Sequence, residues 1–166
     1  MEDRMSDEDF DSSEFRRVLG HFPTGVTVVT AETEDGPAGM AIGSFSSVSL
    51  DPPLVMFCPG RDSASWAQMS TSDSFCVNVL GDDQKALSDL FASRIDDKFN
   101  GVATRTEATG SPVIEGALAW IDCENYAIHD GGDHDIVVGR VVALGTDAAG
   151  GPLLFFKGGY GRFEEL

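Results

Sequence analysis

With 166 residues, 42% of them hydrophobic, the chain is long enough for one domain with a substantial core and too apolar for a disordered polymer. Its formal net charge of −17, from 11 Lys and Arg against 28 Asp and Glu, argues against nucleic-acid and anionic-membrane partners, which need basic stripes. No uninterrupted apolar run exceeds about five residues, far short of the roughly twenty that span a bilayer as a helix.

The first eleven residues, MEDRMSDEDFD, are acidic and lack the apolar stretch of a secretory signal. Residues 1–12 are expected to be a frayed acidic tail ahead of a domain over 13–166, in a cytoplasmic protein. Ser12 or Ser13 can cap a short helix ending at Gly20. Phe15, Val18, Leu19 and, just past its end, Phe22 recur at i, i+3, i+4 and i+7, which gives one apolar face. Pro23 stops it. Strands are expected over 26–32 and 38–42, joined as a hairpin by the turn Glu34-Asp35-Gly36-Pro37.

The stretch from Gly39 to Pro53, GMAIGSFSSVSLDPP, carries the most chemistry. Gly43 lets the backbone approach a ligand closely. The hydroxyls of Ser44, Ser46 and Ser47 can donate to phosphate oxygens, and Phe45 can pack on a planar ring. The composition suits a phosphorylated aromatic cofactor, but most such stretches are ordinary Ser/Gly turns between strands, and on composition alone that reading leads. Asp51-Pro52-Pro53 breaks the chain before a strand over 54–58.

Ser63 or Ser65 can cap a short helix bearing Trp66 and Met69. With Arg61 just before them, the two hydroxyls form either an anion cradle or a plain N-cap. A strand of alternating character is expected over 74–80. A helix capped by Asp82 should follow through Ser93, with Leu87, Leu90 and Phe91 facing inward. The segment 96–110 reads as a loop, in which Lys98 and Phe99 place a cation beside an aromatic ring. Long antiparallel strands are expected over 117–129 and 135–146, and a final one over 152–157.

At the junction of the long strands stands His129-Asp130-Gly131-Gly132-Asp133-His134-Asp135. Such residues can ligate a metal, but neighbours on a strand point to opposite faces and no further ligand motif is present. The junction can instead present one imidazole to a ligand, with Asp133 fixing the turn, or be a solvated turn. Cys58, Cys76 and Cys123 lie in apolar runs without a CxxC pair, which predicts buried free thiols in a reducing compartment. No dinucleotide fingerprint and no Ser/His/Asp triad can be argued. About seven strands and three short helices, without βαβ alternation, predict a closed or nearly closed antiparallel barrel.

Read together, several blocks resemble the flavin reductase family, the small reductase components of two-component flavin-dependent monooxygenases. They are Phe15 to Thr30 (FRRVLGHFPTGVTVVT), Gly39-Met40, Ser44 to Val55 (SFSSVSLDPPLV), Phe75 to Leu80 (FCVNVL), Asp97-Lys98-Phe99 and Gly132-Asp133-His134. The resemblance covers about residues 14 to 161. Cys58-Pro59, Ser63-Ala64-Ser65-Trp66 and the 111–116 block SPVIEG resemble the branch serving aromatic-ring hydroxylases, including steroid-degrading ones. The resemblance implies an antiparallel split β-barrel of Greek-key type, usually a homodimer, in which NADH or NADPH reduces FMN or FAD for release to a separate oxygenase. By position, Thr24, Gly25, Val26, Ile42, Gly43, Ser44, Phe45, Ser46 and Ser47 would border the flavin. Ser63, Ser65, Lys98 and Phe99 would contact its phosphate side or ring edge. Gly132, Asp133 and His134 would face the nicotinamide, and no metal is implied. Where many relatives have Thr-Ala-Asn-Ser or Thr-Val-Asn-Ser after Gly-Met, this chain has Ala41-Ile42-Gly43-Ser44, so a hydroxyl and an amide are missing. A non-catalytic flavin-binding module and a pyridoxamine-phosphate-oxidase-like oxidase are the rival readings; the second would want more cations than three lysines supply.

Overall fold

The computed structural model describes residues 10–166, so residues 1–9 of the expected acidic tail lie outside the described residues. Helix α1 (Ser12–Leu19) forms where its periodicity places it. Its N-cap is Asp11, whose carboxylate accepts from the Glu14 amide at 2.8 Å, in place of the expected Ser12 or Ser13. Its apolar face of Phe15, Val18 and Leu19 also forms, but no described residue covers it: each is at least 49% exposed, as is Phe22 just beyond the helix.

Strand β1 (Thr24–Gly25) leads into the hairpin of β2 (Thr27–Thr33) and β3 (Gly36–Ile42), with Val29 opposite Met40. The Ser/Gly stretch departs from its loop expectation. Only Gly43, Ser44 and Phe45 are irregular; β4 (Ser46–Leu50) then pairs with β5 (Pro53–Phe57) as a second hairpin. Serine's weak strand preference hid β4, whose order comes from its ladder with β5. Helix α2 (Ala64–Met69) carries Ser63 as N-cap, as expected.

Strand β6 (Ser74–Val79) does not alternate. Phe75, Cys76, Val77 and Asn78 are all buried, because Phe75 and Val77 pack into one core cluster while Cys76 packs into another. Helix α3 (Lys85–Ala92) starts later than expected, after Gln84. Asp82 does not cap it: its amide donates to Gly151 O, while Gln84 Oε1 accepts from the Gly81 amide at 2.9 Å.

The remaining elements are β7 (Thr104–Arg105), β8 (Val113–Ile114), the long pair β9 (Ala119–Gly131) and β10 (His134–Thr146), then β11 (Leu153–Phe156) and β12 (Gly159–Arg162). The last was missed in sequence because Gly-Tyr-Gly-Arg carries no apolar alternation.

Seven strands form one antiparallel sheet in the order β3-β2-β6-β9-β10-β5-β4. Its two edges, β3 and β4, are joined by Gly43, Ser44 and Phe45 alone. Laid flat, edges six strand spacings apart would be roughly 29 Å from one another. The four Cα–Cα steps from Ile42 to Ser46 reach about 14 Å at most. The sheet must therefore curl back on itself, and since β3 and β4 share no ladder the barrel stays split at that seam. The expected barrel is thus present but open. The small sheet β1-β11-β12 packs beside it through Val26, Leu80 and Leu153.

One core cluster holds Val29, Phe57, Trp66, Phe75 and Val77 among others; a second gathers Val28, Leu80, Phe91 and Ile114. Two buried polar groups tie loops to this frame. Asn78 donates to Val28 O at 3.0 Å and accepts from the Ile114 amide at 2.8 Å, fixing β8. Asp122 accepts from the amide and hydroxyl of Thr109 at 2.8 and 2.6 Å, pinning the long loop before β8. All three cysteines are free, Cys76 and Cys123 buried and Cys58 half-buried. Burial pushes the Cys123 thiol up to about 12, so it is inert as a nucleophile at neutral pH.

Candidate functional site

Lys98 is buried, yet among the described residues no carboxylate meets it. Its ammonium donates to Ser65 Oγ at 2.9 Å, Phe91 O at 3.0 Å and Gly39 O at 3.3 Å, all neutral oxygens. Burial alone lowers its pKa below the ordinary lysine value. A buried charge with only neutral acceptors is an unsatisfied electrostatic demand, which an anion can meet.

The charge faces a cleft of about 580 Å³ between β3, the start of α2 and the end of α3. That volume lies within the roughly 300–1,000 Å³ of small-molecule sites. Four predicted residues, Ser63, Ser65, Lys98 and Phe99, line it together. Met40, Gln68 and Arg94 line it too, and the sequence reading had not singled them out. Phe99 stands edge-on to Phe91, with centroids 5.1 Å apart. Gly39 makes this wall possible, since a Cβ there would meet the Phe91 ring at 2.9 Å.

A second group of predicted residues lies where the seam between β3 and β4 passes β1. Thr24 and Gly43 are neighbours: a Cβ on Gly43 would lie 3.2 Å from Thr24 Oγ1. Ser44 Oγ accepts from the Cys58 amide at 2.9 Å and donates to Cys58 O at 3.3 Å, so its hydroxyl is engaged within the chain. Gly25, Ser46 and Ser47 are exposed, and Ser46 Oγ donates to Ser47 O. Val26 and Ile42 are core residues and offer a ligand only their backbone. Phe45 packs against the first core cluster, so its ring already has partners. Gly43 is not among the residues with left-handed φ, so its use is space and not backbone freedom. Gly43→Val is expected to weaken flavin binding by about tenfold through crowding at Thr24. A fluorescence titration giving the parent affinity would remove this seam from the site.

The third group is the turn between β9 and β10, where Gly132 has φ 78°. His134 is exposed, and its Nδ1 lies 2.7 Å from Asp133 Oδ1. That hydrogen bond holds the Asp133 carboxyl below its usual range. Among the described residues no three His, Cys, Asp or Glu side chains gather as a metal requires.

The three groups meet one segment, residues 58–66. Ser44 holds Cys58, Gly60 bridges His134, and Ser63 and Ser65 border the cleft. Sequence reasoning missed what ties this segment down: Arg61, Trp66 and Asp135. A buried Trp N–H needs an acceptor, and that rule was the available signal. Trp66 Nε1 donates to Asp135 Oδ2 at 2.8 Å.

The fold and the cleft define a mainly β split barrel with a buried cation at a small-molecule site. The chain matches the flavin reductase like domain over residues 19–164, and it belongs to that family. It is 51% identical over 153 residues to a flavin reductase of Pseudomonas putida, covering 92% of this chain and 90% of that one. It is 49% identical over 156 residues to HsaB, the reductase subunit of a flavin-dependent monooxygenase from Mycobacterium tuberculosis, covering 93% and 83%. Among solved structures, the NADH:FAD oxidoreductase SgcE6 of Streptomyces globisporus, in complex with NAD and FAD fragments, matches with a TM-score of 0.87 at 39% identity and 93% coverage of each chain.

Proposed function

We propose that this protein is an NAD(P)H:flavin oxidoreductase. It takes FMN or FAD as a dissociable substrate and supplies reduced flavin to a separate flavin-dependent monooxygenase acting on an aromatic or polycyclic compound. The observation that carries the reading is Lys98, a buried cation with no acidic partner among the described residues, on a cleft of flavin-compatible size. The relatives named as reductases and reductase subunits support the activity and the oxygenase partner. The neighbour holding NAD and FAD fragments supports NADH as donor.

On this reading Lys98 and the hydroxyls of Ser63 and Ser65 hold the phosphate side, and Phe99 borders the flavin. When bound, the flavin supplies the ring that accepts the hydride. The chain needs no nucleophile; it binds the two partners, orients them and keeps them at reacting distance. With Asp133 holding Nδ1, His134 presents Nε2 to the nicotinamide. His134→Ala is expected to raise the KM for NADH about tenfold while flavin affinity changes little. Steady-state kinetics with unchanged KM would leave His134 a surface residue.

Ala41 and Gly43 offer no side-chain donor, so the flavin is held modestly. Micromolar affinity needs only about 8 kcal/mol. The flavin is therefore expected to be lost on dialysis, and reduced flavin formed by the protein should support a separately purified oxygenase across a dialysis membrane. Flavin retained stoichiometrically, with no reduced flavin in solution, would mean a tightly held flavoenzyme instead.

Residues 13–166 act as one catalytic domain on this reading, in the cytoplasm; among the described residues no helix is long and apolar enough to cross a membrane. A homodimer is supported by the uncovered face of α1. The Lys157 amide donates to Gly20 O at 2.9 Å, which sets that helix beside β11, where Phe155 and Phe156 are also exposed. Nucleic acid is not a partner, given the charge.

A further inference from the structure

Between His134 and Lys98 lies a hydrogen-bonded network that neither phosphate binding nor hydride transfer uses directly. Asp135 follows His134 in the chain and is itself half-buried, its side chain 21% exposed. Each carboxylate oxygen has one donor: Arg61 Nε reaches Oδ1 at 2.8 Å, and Trp66 Nε1 reaches Oδ2 at 2.8 Å. Arg61 Nη2 also binds Asp130 Oδ1 at 2.6 Å, on the opposite strand of the hairpin.

The backbones are laced as well. The Arg61 amide donates to Asp133 O and the Asp135 amide to Pro59 O, both at 3.0 Å. Trp66 is rooted in the core, edge-on to Phe57 at 5.9 Å. Ser63 Oγ accepts from the Trp66 amide at 3.2 Å, and Ser65, the residue before Trp66, accepts from Lys98. One carboxylate thus stands one residue from His134 and one indole from the residues that border the cleft.

We propose that Asp135 is a positioning residue, which clamps the His134 turn to the start of α2 through Arg61 and Trp66 and so fixes the nicotinamide side relative to the flavin side. The proposal rests on the reading of His134 as the nicotinamide contact. The geometry favours a clamp over a local surface ion pair for two reasons. The indole donor is buried, so Asp135 is its required acceptor. The Arg61 guanidinium spans both strands of the hairpin, which no single surface pair does. The hydrogen bonds from Trp66 and Arg61 hold the Asp135 carboxyl below its usual range, so the clamp stays charged through mild acid.

The test compares Asp135→Asn, His134→Ala and the double variant, by steady-state kinetics with NADH and added FMN and by amide hydrogen exchange. An amide at 135 keeps the shape but cannot accept from both donors with full charge. Asp135→Asn is expected to raise the KM for NADH about tenfold, with kcat and the KM for FMN within about threefold of the parent. In the His134→Ala background the same change should add nothing, because its effect passes through His134. Exchange at the Arg61 and Asp135 amides should accelerate about tenfold while the core amides stay unchanged. Trp66→Phe, which removes the indole donor and leaves Arg61, should give the same pattern at smaller amplitude. A parallel rise in both KM values with a lowered Tm overturns the proposal in favour of a merely structural role, and additive effects in the double variant overturn it too. Unchanged exchange in Asp135→Asn refutes the clamp whatever the kinetics. Accelerated exchange with a His134→Ala variant of parental KM refutes the nicotinamide reading and leaves the clamp standing.

Discussion

Lys98→Met is expected to weaken FMN or FAD binding by about one to two orders of magnitude, the loss of a charge-assisted contact to phosphate. Its effect on stability should be small or favourable. Met keeps the length of the side chain and removes a buried charge that has no acidic partner among the described residues. Loss of affinity without loss of stability separates a ligand-binding lysine from a structural one. The pH dependence follows from the same burial. The folded chain releases the Lys98 proton below the unfolded value of 10.5. The destabilisation from burying the charge is present at neutral pH and relieved as pH rises through the folded pKa toward that value. Flavin affinity runs the other way and falls over the same rise, and Lys98→Met should lack this alkaline limb. Fluorescence titration across the alkaline range, with thermal melts on the same samples, checks both. Parental affinity in Lys98→Met would move the phosphate elsewhere.

Gly139→Val should be the most damaging single change to the fold. Gly139 follows a register shift in β10 and lies under Phe75. A Cβ there would sit 2.3 Å from Phe75 Cζ and 3.0 Å from Cys123 Cβ. Phe75 cannot simply retreat, because it is 3% exposed and packs edge-on against Phe57 at 5.0 Å. Overpacking of this kind costs about 3 kcal/mol, which for a domain of this size lowers Tm by roughly 6–12 °C. Removing the obstacle should recover part of the loss: Gly139→Ala combined with Phe75→Leu should be less destabilised than the sum of the two single changes. Strictly additive melts would show that the strand bends away from Phe75 instead.

Much of the architecture was legible along the chain because local signals and the fold agree. The β2–β3 hairpin follows from two apolar runs around Glu34-Asp35-Gly36-Pro37, and α2 begins at the Ser63 cap that its spacing announced. The errors have physical causes. Strand β4 is serine-rich and is ordered by its ladder to β5, which no local propensity reports. Asp82 has the right chemistry for a cap, but Gly151 holds its amide and the helix starts at Lys85. The α1 face was legible as apolar; that Phe15, Val18 and Leu19 stay exposed in the folded chain was not.

The site divides the same way. Residue types marked Lys98, Ser63 and Ser65 as donors, and the resemblance grouped them. That Lys98 is buried against three neutral oxygens depends on β3, α2 and α3 meeting, which spacing alone cannot supply. Phe45 shows the converse: an aromatic in a Ser/Gly stretch looked available to a ligand, and the curl of the sheet turns it onto the core.

On the proposed reading, flavin passes through this protein as a substrate. The direct measurement is NADH oxidation by dialysed protein, without oxygenase, as FMN or FAD is added from substoichiometric amounts to a large excess. Negligible oxidation without flavin, saturation at flavin concentrations far above that of the protein, and many turnovers per protein molecule are expected. Oxidation at full rate without added flavin, or none at any flavin concentration, would contradict it.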